Sequence, residues 1–185
     1  MTMKLTSRNV AFFVAGGFFA ALFVGGVAHA ITSTIFQYSS PQTSYLSIPA
    51  AAFTPANSNY TYFKDDRSIV PGSINTEACF TAPVNLPDAV KIQSIGVFYT
   101  RSINAQELTL FFNRLDLVTG STGDALLNKQ LVPNNQYGSA AFKIVTNVNN
   151  RRYTYVLTTC MQQDVSGEVE LHAVRVAYTY ANAGS

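Results

Sequence analysis

Tryptophan is absent from this 185-residue sequence, charged side chains make up only 12% of it, and cysteine occurs twice. Each scarcity excludes something. Without tryptophan, any ring platform that stacks on a ligand has to come from the 10 tyrosines and 13 phenylalanines. The two cysteines, Cys79 and Cys160, are too far apart in sequence for the Cys-x-x-Cys spacing of zinc and redox sites. Beyond residue 30 there is a single histidine, His172, so any nucleophile–His–acid set would have to use it. No Gly-x-Ser-x-Gly elbow is present to carry a serine nucleophile. Internal repeats, heptads and long stretches of 3.6-residue apolar period are also missing, which excludes solenoids, coiled coils and helical bundles.

What is present begins at the N-terminus. Lys4 and Arg8 precede Ala11–Val27, a run without a polar side chain, and Ala28-His29-Ala30 follows. This is the basic, apolar and small-x-small order of a signal peptide. The run is short for a permanent membrane span and contains four glycines, and no basic cluster follows it. The expectation is cleavage after Ala30, leaving no membrane span and placing the protein in the periplasm, at the cell surface or in the medium.

Cleavage leaves 155 residues, the size of one domain, with ten basic and ten acidic side chains. A chain of zero net charge offers no general attraction for nucleic acid or anionic lipid. It also offers little repulsion between copies of itself. In an oxidising compartment Cys79 and Cys160 are expected to form a disulfide.

The apolar residues alternate with polar ones, as in half-buried strands. The pattern predicts strands over 44–53, 59–63, 74–80, 91–100, 107–118, 139–146, 153–161 and 168–180, and a helical turn over 124–131. About eight strands with turn residues between them predict an all-β fold, a two-sheet antiparallel β-sandwich of jelly-roll-like or immunoglobulin-like form. Residues 31–43 carry the weakest pattern and read as a flexible N-terminal arm, with the sandwich over 44–185.

Four short motifs are shared with a wider group: Ala82-Pro83-Val84, Leu86-Pro87-Asp88, Tyr153-Thr154-Tyr155 and Val174-Arg175-Val176-Ala177-Tyr178. In these the chain resembles uncharacterised exported bacterial β-sandwich proteins. That resemblance implies a secreted sandwich and no particular chemistry. Where the group has Gly-Ala, this chain has Ala89-Val90, an unexpected residue if the turn needs positive φ. Independently, Pro83 and Pro87 cannot donate ladder hydrogen bonds, so they predict a crossing loop or a sheet edge, the crossing pinned by Val84 and Leu86.

The candidates for chemistry are few. Strict alternation puts His172 in step with Val174 and Val176, in mid-strand. Asp65-Asp66, flanked by Lys64 and Arg67, is a candidate calcium site with help from Asn57 and Asn59. Glu168 and Glu170 lie two apart on one strand, a spacing compatible with glycosidase carboxylates. Tyr60, Tyr62, Tyr99, Tyr153, Tyr155, Tyr178 and Tyr180 are candidate sugar platforms, although paired tyrosines also form cross-strand ladders. Arg151-Arg152 is the one basic doublet. These residues favour a secreted, non-catalytic structural or interaction domain, self-assembling or bound to another surface protein. The alternative is a carbohydrate-binding module, with a hydrolase built on His172 or Glu170 third.

Overall fold

The computed structural model describes residues 37–102, 107–134, 136–165 and 167–182, all within the unit Gln37–Ser185. The expected signal peptide and residues 31–36 of the expected arm lie outside the described residues.

The elements, in order, are β1 (Gln37–Pro49), a 3-10 turn (Ala50–Ala52), β2 (Thr54–Pro55), β3 (Tyr62–Lys64), β4 (Ile69–Pro71), β5 (Glu77–Pro83) and β6 (Lys91–Arg101). They continue with β7 (Glu107–Asp116), β8 (Thr122–Gln130), β9 (Gly138–Asn147), β10 (Tyr153–Gln162) and β11 (Val169–Asn182). One sheet runs β3-β4-β11-β6-β9, with β1 also on β11, and the other runs β2-β5-β10-β7-β8; all strand pairs are antiparallel. The eight long strands lie in the orders β1-β11-β6-β9 and β5-β10-β7-β8. Counted along those eight, the orders are 1-8-3-6 and 2-7-4-5, the jelly roll. The eleven strands among the described residues exceed the expected eight by short β2 and β4 and by long β8.

The core is where alternation said it would be. Ile95, Val97 and Tyr99 of β6 are buried, as are Leu108, Leu110 and Phe112 of β7 and Val174 and Val176 of β11. Phe112 stacks on Tyr155 of β10 with centroids 6.0 Å apart. Burying a side chain of this kind contributes about 1.5–3 kcal/mol before entropy. Between β5 and β6 the chain crosses from one sheet to the other with Val84, Leu86 and Val90 buried, as the two prolines predicted. The Asn150 amide donates to Leu86 O at 2.8 Å, and its backbone N–H donates to Asp88 Oδ1 at 2.8 Å. In this loop Ala89 has φ 61°, so alanine occupies the left-handed conformation at the position where the resemblance expects glycine. Gly72 is required for a different reason: a Cβ there would sit 2.9 Å from Thr61 C and Tyr62 N. Cys79 and Cys160 lie opposite each other in β5 and β10 and form the expected disulfide.

Three expectations are corrected. The segment 124–131, read as a helical turn, lies in β8 and the residue after it, with Leu127 opposite Phe112. Its alanine and leucines favour helix locally, but pairing with β7 and burial of Leu127 and Leu131 override that preference. The strand expected from Ile74 starts at Glu77. Residues 37–43, assigned to the arm, belong to β1, where Gln42 and Thr43 face Tyr180 and Thr179. Their polar sequence hides a strand whose cover is aromatic rather than aliphatic: Tyr38 meets Tyr180 edge-on at 5.6 Å. The same pairing sets Gln37 beside Asn182.

Candidate functional site

His172 is not in step with Val174 and Val176. Leu171 pairs with Tyr99 and Ala173 with Phe98, so His172 is an extra residue with no opposite number, a β-bulge. The bulge inverts the alternation: Val169 and Leu171 are buried before it, Val174 and Val176 after it. His172 therefore points to the outer face. There its Nε2 lies 3.0 Å from Thr100 Oγ1 and 3.6 Å from Glu170 Oε2, and its Nδ1 3.3 Å from Arg67 O. The Tyr137 ring lies against it at 4.9 Å.

Glu170 lines a cleft of about 310 Å³ with Phe63, Lys64, Asp65, Ser68 and Val70. Burial, and then the neighbouring Glu168 carboxylate, raise the Glu170 carboxyl above its usual range. Glu168 itself is exposed, just ahead of β11. Asp65 Oδ1 accepts from the N–H groups of Arg67 and Ser68, both at 2.8 Å, which holds its carboxyl below the usual range. Asn57 Oδ1 likewise accepts from Asn59 N–H at 3.0 Å. Among the described residues, one group of three acids, histidines or cysteines is close enough to share a metal. It is Glu77 with Cys79 and Cys160, and the disulfide leaves those cysteines no thiolate. The structure thus gathers no third such ligand at Asp65 or Asp66.

Most of the other candidates are committed to neighbours. Arg152 pairs with Asp116 at 2.9 Å, and the guanidiniums of Arg114 and Arg152 lie on Tyr153 at 4.4 and 5.2 Å from its centroid. Tyr99 and Tyr155 are buried, Tyr62 packs on Phe80 at 5.6 Å, and Tyr178 lies against Tyr180 at 6.3 Å.

The feature that sequence reasoning missed lies on the outer face of the six-stranded sheet. Register places Ser47, Arg175, Gly96 and Ala141 in one row across β1, β11, β6 and β9, and Tyr45, Ala177, Ser94 and Lys143 in the next. Small residues at the centre leave a shallow groove of about 190 Å³ lined by Tyr45, Ser94, Gly96, Phe98, Arg175 and Ala177, among others. Tyr45 is 61% exposed. The Arg175 guanidinium lies between two rings, 5.9 Å from the Tyr45 centroid and 5.1 Å from that of Phe98. Phe98 stacks in turn on Tyr137, 66% exposed, at 6.4 Å. A chain of side-chain contacts thus runs from Phe98 through Tyr137 and His172 to Glu170. The available sequence signal was the run of small residues at outward positions of three separate strands, which only register could bring together.

No protein-family model matches the chain, and no curated protein matches it in sequence. Among solved structures it is similar to an isomalto-dextranase of Arthrobacter globiformis T6 complexed with panose, at 14% identity and a TM-score of 0.44, over 71% of this chain and 23% of that one. It is similar to a CBM36 domain of a multidomain xylanase from the hindgut metagenome of Trinervitermes trinervoides, at 7% identity and a TM-score of 0.47, over 77% and 100%. A third is the C-terminal CBM6 of a marine laminarinase from Zobellia galactanivorans, at 16% identity and a TM-score of 0.46, over 72% and 98%. The chain thus spans less than a quarter of the Arthrobacter protein and nearly all of the other two.

Proposed function

We propose that the domain is a non-catalytic carbohydrate-binding module, exported by its N-terminal signal peptide, that holds a glycan along the outer face of the six-stranded sheet. The observation that carries this reading is the groove floored by Gly96 and Ala177, with Tyr45, Phe98 and Arg175 along it. Sugars present apolar C–H faces ringed by hydroxyls. Exposed aromatic rings match the faces, and Arg175, Ser94 and Ser139 match the hydroxyls. A shallow volume suits a chain laid across a sheet rather than a small molecule enclosed by it.

The non-catalytic part of the reading rests on the placing of His172, the one histidine beyond residue 30, in a bulge beside Thr100. Self-assembly, which the sequence favoured, would use the outer edges of β1 or β9 if it ran through the long strands of the six-stranded sheet. These edges carry Pro41, Pro49 and Lys143, residues that discourage strand addition.

The test is a screen of the mature chain against immobilised glycans, alongside Gly96→Leu. A Cβ at Gly96 meets nothing nearer than 3.9 Å, so leucine fills the groove without straining the backbone. Saturable binding that Gly96→Leu abolishes, at an undiminished melting temperature, is the expected outcome. Binding indifferent to Gly96→Leu, or no binding to any glycan, overturns the assignment.

A further inference from the structure

Charge on the outer face of the six-stranded sheet is segregated. β1, β6 and β9 contain no aspartate or glutamate, and β11 contains only Glu170, which lies beyond His172 at one end. The same face carries Arg175, Lys143 opposite Ser94, and Lys91 opposite Thr179 and Asn147, all exposed. The mature chain has equal numbers of acidic and basic side chains, so this is a sorting of charge and not a general basicity.

Arg175 is the centre of the arrangement. Arg114 and Arg152 are neutralised by Asp124 and Asp116. Among the described residues no carboxylate lies within ion-pair distance of Arg175, whose contacts are the Tyr45 and Phe98 rings. The guanidinium lies against both rings and lines the groove. A planar fork of this kind pairs bidentately with a carboxylate or sulfate, and a neutral sugar leaves that capacity unused. From the Arg175 row to the Lys91 row is four residues along β11, roughly 13 Å at the usual strand rise. The cations are thus spread along the face, as a polymer with repeated anionic groups requires.

We infer that the glycan held in this groove is an anionic polysaccharide whose carboxylate or sulfate groups are paired by Arg175, with Lys143 and Lys91 meeting further charges along the chain. The inference rests on the glycan-binding reading. Its test uses matched polymers: polygalacturonate against its methyl ester, and dextran sulfate against dextran, each titrated into wild type and Arg175→Gln at low and high salt. The expected result is that the charged member of at least one pair binds about tenfold or more tightly than its neutral counterpart. That preference weakens with salt and disappears in Arg175→Gln, and the pair that shows it tells carboxylate from sulfate. Equal binding of charged and neutral members, unaffected by Arg175→Gln, overturns the inference and leaves the glycan-binding reading standing. Failure of all four polymers and of the wider screen overturns both. Tighter binding of single-stranded poly(dT) than of any polysaccharide overturns the choice of glycan over nucleic acid. Should Arg175→Gln fold poorly, the matched pairs on wild type decide the question alone.

Discussion

Ala89 shows what a single residue can cost. Held at φ 61°, it occupies a conformation that disfavours any side chain with a Cβ by roughly 1–2 kcal/mol. Its place is kept by its N–H donating to Val148 O at 3.0 Å and by buried Val90 beside it. Ala89→Gly is therefore expected to raise stability by about 0.5–1 kcal/mol, net of glycine's greater freedom when unfolded, as chemical denaturation would show. An unchanged or lower midpoint would mean that the alanine methyl contributes more packing than the strain removes. The sequence pointed to this position through its departure from Gly-Ala, but only backbone geometry shows the strain. At His172 counting failed for a comparable reason: alternation assumes an unbroken ladder, and counting back from Val176 and Val174 crosses one inserted residue. Tyr45 went unnoticed because its neighbours Ser44 and Leu46 give no hint that small residues on β6 and β11 clear a space beside it.

At the scale of elements, the long strands were legible because each buries one face. β6, β7, β10 and β11 pair through most of their length with the alternation that their sequences show. Short β2 and β4 were not, because they have two or three residues each and are defined by their partners, while β3 overlaps the expected strand over 59–63. β8 was misread because an edge strand half exposed to water has no need of strict alternation. The disulfide acts at this scale, joining β5 to β10 across a sequence separation of 81. Closing a loop of that length constrains the unfolded chain by about 4 kcal/mol in the entropy model. The paired variant Cys79→Ala/Cys160→Ala is expected to lose about 2–4 kcal/mol in urea denaturation and to keep glycan binding. The groove is formed by the other sheet, so a binding loss at temperatures where the variant remains folded would contradict the independence of the two sheets.

For the whole molecule, stability should depend on pH through groups of opposite sense. Asp65 and Asp116 are held below the usual carboxylate range, Asp65 chiefly by the Ser68 and Arg67 N–H groups and Asp116 chiefly by that of Val118. Their contribution is present above their unfolded values and is lost as pH falls through the folded ones. Glu170, raised by burial and then by Glu168, works the other way. It binds its proton more tightly when folded, so its contribution is complete below the unfolded value and is lost as pH rises through the folded one. Glu170→Gln is thus expected to melt higher than wild type at pH 7, with the difference vanishing below about pH 4. A melting-temperature series against pH checks this, and a lower melting point for the variant at pH 7 would show that the ionised form is favoured by His172.

The pairing of Gln37 with Asn182 has a mechanical consequence. The two ends of the described domain leave from adjacent positions on antiparallel strands. A tension applied between them would open the β1–β11 ladder from that end, one hydrogen bond at a time, instead of shearing all of its bonds together. A domain loaded in this way yields at low force and spools out its first strand early. Since β1 carries Tyr45, the groove would lose one wall before the rest of the sandwich gave way, and its grip would depend on tension.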